Sequence, residues 1–98
     1  MVYTKKMKFE WDTAKNAINK TKHGLSFDEA IEVFADPNAI EVYDEDHSEE
    51  EDRYKVIGML QNKVIVISLI FTERGETIRI ISARKADKEE KVTYEQKR

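Results

Sequence analysis

Hydrophobic and polar positions alternate briefly near the start of the chain and then switch to helical spacing. Phe9 and Trp11 share one parity and Lys8 and Glu10 the other, which predicts a short strand over 8–11. Asp12 is placed to cap a helix in which Ala14, Ala17, Ile18 and Thr21 recur at helical intervals. Gly24 is its expected terminator, with Lys20, Lys22 and His23 in or near the last turn. Ser26 and Glu29 have the spacing of a capping box. A second short helix follows, with Phe27, Ala30, Ile31 and Phe34 on one face, and Asp36-Pro37-Asn38 ends it.

The next half of the chain reads as strands. Residues 40–43 make a short one, 53–59 another, and 64–71 the strongest apolar run. Gln61-Asn62 predicts a hairpin between the last two, and Glu73-Arg74-Gly75-Glu76 a turn into a strand over 77–83. Links this short allow only antiparallel pairing. The run Val64-Ile65-Val66-Ile67 is apolar on both parities, as in a central strand covered on both faces, or on one face plus a partner. Asp87 and Glu90 form another capping box and open a largely polar terminal helix anchored by Val92 and Tyr94. The expectation is an α+β domain: a short strand, two helices, an antiparallel sheet of three to four strands and a C-terminal helix, with the helices on one side of the sheet.

Composition narrows the function. At 98 residues the chain has the length of one domain. It has no cysteine, which excludes disulfides, thiol catalysis and thiolate zinc sites and suits a reducing cytoplasm. Two histidines make a conventional structural zinc site a poor fit, and no cofactor is implied. No stretch has the length of a membrane span, and no apolar segment near the N-terminus resembles a secretory leader. The net charge of −3 argues against a polyanionic partner until its distribution is considered. Residues 44–52 carry seven acids and no Lys or Arg, so all 17 bases and the other 13 acids lie elsewhere. A polyanion responds to the local patch rather than the total. The acidic run suits a shield over a basic groove, a dock for a basic partner, or a plain solvated loop. It has no calcium-loop pattern.

No nucleophile elbow, glycine-rich phosphate loop or paired-histidine motif is present. What remains is a set of bases near element ends: Lys20, Lys22, His23, Arg53, Arg74, Arg79, Arg84 and Lys85. Arginine is a bidentate phosphate ligand and lysine a point charge, so the set suits binding or cleavage of a phosphodiester. Each also has an ordinary reading. Lys22 and His23 favour a helix C-terminus, Arg53 can pair with the acidic run, Arg79 suits a solvent-facing sheet position, and Arg84 and Lys85 read as ordinary surface charges after the strand. His47 reads as a surface residue. Arg79 and Arg84 are five apart, so an unbroken strand points them to opposite faces; they share a site only if the strand bends near Ser82 or Ala83. The residues alone leave open an RNA-cleaving or RNA-binding enzyme and a small protein-binding module. A DNA-binding module fits less well, since neither short helix is a basic recognition helix.

A resemblance decides further. Phe9-Glu10-Trp11-Asp12, the run from Asn19 to Gly24, Phe27 with Glu29-Ala30, Phe34 with Asp36-Pro37, His47 with Glu51-Asp52-Arg53-Tyr54, and the run from Arg79 to Ala86 resemble the BrnT family, toxins of type II toxin–antitoxin systems. The similarity covers about residues 7–95, with residues 1–6 as an N-terminal extension to a single domain over 7–98. It implies a RelE-like fold, RNA cleavage that inhibits translation, and a BrnA-like antitoxin. That partner would carry a ribbon-helix-helix DNA-binding domain, form a two-plus-two heterotetramer, and provide any contact with operator DNA. The resemblance makes Lys22, His23, Arg53, Arg79 and Arg84 the expected active group, with no metal. A catalytically weak relative acting as an interaction module and co-repressor is the alternative.

Overall fold

The computed structural model describes residues 7–97, with the side chain of residue 97 left aside; the expected N-terminal extension at 1–6 lies outside the described residues. Strand β1 (Lys8–Trp11) leads through the Asp12 cap, whose carboxylate accepts the Lys15 N–H at 3.0 Å, into helix α1 (Thr13–His23). Gly24 stops α1 in the left-handed conformation at φ 73°, where a side chain would be strained. The Ser26–Glu29 capping box opens α2 (Phe27–Ala30), which tightens at once into a 3-10 segment, Ile31–Ala35. Strands β2 (Ile40–Tyr43), β3 (Tyr54–Leu60), β4 (Ile65–Arg74) and β5 (Thr77–Lys85) follow, and α3 (Lys88–Lys97) closes the chain.

The sheet has five strands in the order β1-β5-β4-β3-β2. The meander from β2 to β5 is antiparallel throughout, as expected, but β1 adds a fifth strand parallel to β5. That pairing joins segments some seventy residues apart, and no local pattern announces it. One face of the sheet carries the core. Val56, Leu60, Ile67, Leu69, Phe71, Ile78, Ile80 and Ala83 pack there against Leu25, Phe27, Ala30, Val33 and Phe34. Phe34 makes edge contact with Phe71 at a centroid distance of 5.3 Å, and Trp11 with Phe27 at 6.1 Å.

Three expectations change. The stripe Ala14, Ala17, Ile18, Thr21 faces solvent, with Ile18 62% exposed. The inward side of α1 is instead polar: Asn19 is buried, and Asn16 and His23 are half-buried at helical spacing from it. Asn16 accepts the Phe27 N–H at 2.7 Å, so these amides bind backbone rather than fill a core. Second, the helices do not share one side. Glu90 of α3 binds Lys55 and Arg84, whose side chains point away from the core, so α3 crosses the opposite face. Third, Val92 is exposed, and the buried anchors of α3 are Tyr94 and Glu90. The Tyr94 hydroxyl donates to Asp36 Oδ2 at 2.7 Å, and the same oxygen accepts the Met59 N–H at 2.8 Å. No described helix is long and apolar enough to cross a membrane.

Candidate active site

The second face of the sheet is the chemically interesting one, and its layout follows from strand register. Val42 lies opposite Lys55, Lys55 opposite Ile70, and Ile70 opposite Ser82, which makes one row across four strands. The next row runs from Ile57 through Ser68 to Arg84. On the other side of the first row, Thr72 lies opposite Arg79. Arg53 immediately precedes β3, so continuing the register by one place sets it level with Thr72 and Arg79.

The register shifts between Ile70 and Phe71, so Ile81 is an extra residue in β5. This bulge reverses the parity of everything after it. Ile78 and Ile80 before it, and Ala83 after it, face the core, whereas Arg79, Ser82 and Arg84 face the other way. The condition for Arg79 and Arg84 to share a face is therefore met one residue before Ser82.

A cleft of about 430 Å³ opens on this face, lined by Arg53, Lys55 and Arg84 on its basic side and by Asp44, Asp46 and His47 on the other. Val42, Ile70, Ile81 and Ser82 supply a mixed floor. The acidic connection between β2 and β3 is thus folded against the basic residues. Several bonds hold it there: the Asp44 N–H donates to the Arg53 carbonyl at 2.8 Å, the Arg53 N–H to Ser48 Oγ at 2.9 Å, and Thr72 Oγ1 to the Asp52 carbonyl at 2.6 Å. His47 is exposed, as expected, and its Nδ1 lies 3.0 Å from Asp44 Oδ2. The Arg53 Nε is buried without a hydrogen-bond partner, a costly position for a donor.

The cations are held by the chain's own carboxylates. Arg84 forks onto Glu90, Nη1 to Oε1 at 2.7 Å and Nη2 to Oε2 at 3.1 Å, and Lys55 Nζ reaches Oε2 at 2.9 Å. The Glu90 side chain is only 7% exposed. Burial pushes its carboxyl up, but the bonds from Arg84, Lys55 and the Asp87 N–H prevail and hold it at about 2. Glu90 in turn raises the pKa of Arg84 above its ordinary value. Across the sheet, Arg79 Nη1 lies 2.5 Å from Oε2 of Glu10, its register neighbour on β1.

Lys22 and His23 are not brought into this cleft. They stand at the end of α1, where Lys22 borders a shallow apolar patch with Ala17, Ile18 and Thr21. Their nearest link to the site is Asn19, whose side chain accepts the Ala83 N–H at 3.1 Å and donates to the Ala83 carbonyl at 2.8 Å. That pair docks α1 on the edge of β5 one residue before Arg84, and His23 follows one helical turn later, about 6 Å along the axis. Sequence reasoning missed Lys55, Glu10 and Glu90 as members of the basic face. Lys55 alternates with buried Val56, which assigns it to the outer parity; Glu90 was legible only as a helix cap. Among the described residues no group of three or more His, Asp or Glu is placed to hold a metal ion.

A mixed five-stranded sheet with α1 and α2 over one face, and with Arg53, Arg79 and Arg84 beside α3 on the other, makes this a small α+β domain that presents a cluster of arginines on one face of its sheet. The family model described as the ribonuclease toxin BrnT of a type II toxin–antitoxin system matches residues 11–90, and the chain belongs to that family. Membership implies a protein antitoxin as partner. No curated protein matches the chain.

Proposed function

We propose that this chain is an endoribonuclease that cleaves RNA without a metal ion and thereby inhibits translation. The observation that carries the reading is the Ile81 bulge, which sets Arg79 and Arg84 on one face with Arg53. RNA supplies its own nucleophile, so no serine or cysteine is needed. The 2′-oxygen attacks the adjacent phosphorus, the bond from phosphorus to the 5′-oxygen breaks, and a cyclic phosphate and a 5′-hydroxyl result. One group takes the 2′-hydroxyl proton and another delivers a proton to the leaving oxygen. Arg79 and Arg84 bind the phosphate and its developing charge, and Arg53 orients the phosphate or a base. His23 or Lys22 moves protons, on an RNA strand that passes over Arg84 and round the edge of β5.

The neutralising partner in this reading is a BrnA-like antitoxin with a ribbon-helix-helix domain, in a two-plus-two complex that meets operator DNA through the antitoxin. The test is a cell-free translation reaction with mapped RNA ends, comparing wild type with Arg79→Ala/Arg84→Ala. New ends and arrested translation are expected for wild type alone, and cleavage of isolated RNA by the purified protein should persist in a metal chelator. Cleavage that disappears with the chelator and returns with magnesium would overturn the mechanism.

A second reading has an observation of its own. Arg79 and Arg84 are both neutralised internally, by Glu10 and Glu90. A weak toxin acting chiefly as an interaction module and co-repressor accounts for that, and it predicts antitoxin and operator binding with no new RNA ends.

A further inference from the structure

The strongest unexplained feature of the molecule is the burial of Glu90 between two cations on the face that is otherwise most suited to RNA. A helix cap does not require it. The capping function uses one oxygen, Oε1, which accepts the Asp87 N–H at 2.9 Å. Yet the carboxylate also takes three charge-assisted bonds from Arg84 and Lys55, which come from different strands with β4 between them. The two side chains start from adjacent rows, Lys55 in the row of Ile70 and Arg84 in the row of Ser68, and both line the cleft that continues to Ser82 and Arg53. A planar fork and an ammonium aimed at two oxygens of one anion are also the donor set for two non-bridging oxygens of a phosphodiester.

The element that delivers Glu90 is lightly held. Apart from Glu90, the one buried side chain among its described residues is Tyr94, fastened by its hydroxyl to Asp36, while Val92 is exposed. Exchanging the carboxylate for a phosphate keeps both cations paired and returns Glu90 to water. Such an exchange avoids the large cost of leaving a buried charge alone.

We infer that Lys55 and Arg84 form a phosphate-binding subsite for RNA that Glu90 occupies in the free protein, so that α3 acts as an internal competitor which substrate must displace. The inference rests on the RNA reading of the cleft and adds Lys55 as a binding residue and Glu90 as its restraint.

The test measures binding of a short 2′-O-methyl oligoribonucleotide, which lacks the nucleophile, by fluorescence anisotropy over a series of salt concentrations. Glu90→Gln keeps a capping oxygen and removes the competing charge; it should bind about tenfold tighter, with a steeper fall of affinity as salt rises. Glu29→Gln is the matched control. Glu29 is also a capping-box residue paired with two lysines, Lys20 and Lys63, but it lies outside the cleft. It changes the net charge equally and should leave affinity within about twofold of wild type. Adding Lys55→Ala to Glu90→Gln should abolish the gain. Equal effects of the two glutamate substitutions, or no gain from Glu90→Gln in a protein with wild-type circular dichroism, would overturn the subsite while leaving RNA binding intact. No binding by any variant would overturn the RNA reading as well. If Glu90→Gln fails to fold, Tyr94→Phe decides: loosening α3 with Glu90 retained should raise affinity several-fold, and an unchanged affinity overturns the inference.

Discussion

Asn19 illustrates how one polar side chain can replace a strand. Beyond Trp11, β1 ends and the outer edge of β5 loses its partner. The Asn19 amide then serves the backbone of Ala83 on both its donor and acceptor sides and also donates to the Leu25 carbonyl at 2.9 Å. Replacing it with Ala strands a buried N–H and weakens two carbonyls, which should cost about 3 kcal/mol. Urea denaturation measures this, and a loss below about 1 kcal/mol would show that these bonds do not hold the edge. Residue-scale chemistry was legible only where its partner is local. The caps at Asp12, Ser26 and Asp87 involve residues three apart and are legible in the sequence. Asn19 binds a residue 64 positions away, so its sequence surroundings showed nothing but a polar helix position.

At the scale of elements, the same distinction separates what was readable from what was not. Period-two alternation located β2 and placed β3 within a residue at each end, and the turn glycine Gly75, at φ 64°, marked the last hairpin. Side-chain parity along β5 predicted opposite faces for Arg79 and Arg84, and only the bulge at Ile81 reconciles them. A bulge is a two-strand property, since it is defined by register against β4. Close approach between elements is equally invisible in one segment. Gly58 of β3 lies under the 3-10 segment, where an added Cβ would stand 2.7 Å from Val33 Cγ2 and 3.0 Å from Ala39 Cβ. Gly58→Ala should therefore destabilise the fold by about 1–3 kcal/mol, as overpacking does. Thermal unfolding would report it, and an unchanged midpoint would mean that the 3-10 segment shifts freely. The site should keep its chemistry, because Gly58 faces the core.

Across the whole molecule, the acidic excess is not spread as a uniform surface charge; key carboxylates are committed to holding elements together. Glu90 joins α3 to β3 and β5, and Glu29 joins α2 to Lys20 of α1 and Lys63 of the β3–β4 turn. Bonds from Lys63, Lys20 and Ser26 bring the Glu29 pKa down to about 2, and Glu90 is held at about 2 despite its burial. The ordinary value for both is 4.5, so each binds a proton more readily in the unfolded chain than in the folded one. Their contribution is therefore complete above about pH 4.5 and disappears as pH falls toward 2. For Glu90 it is on the order of 3 kcal/mol. Urea midpoints should stay level with respect to these groups from neutral pH to about 5 and then fall steeply. Glu90→Gln should be less stable than wild type at pH 7 and should lose less on acidification, so that the two curves converge near pH 2. Parallel acid limbs would show that the carboxylate carries no such linkage. The comparison also bears on function: with its carboxyl held at about 2, Glu90 stays charged through the physiological pH range, so acidification there does not release Arg84 and Lys55.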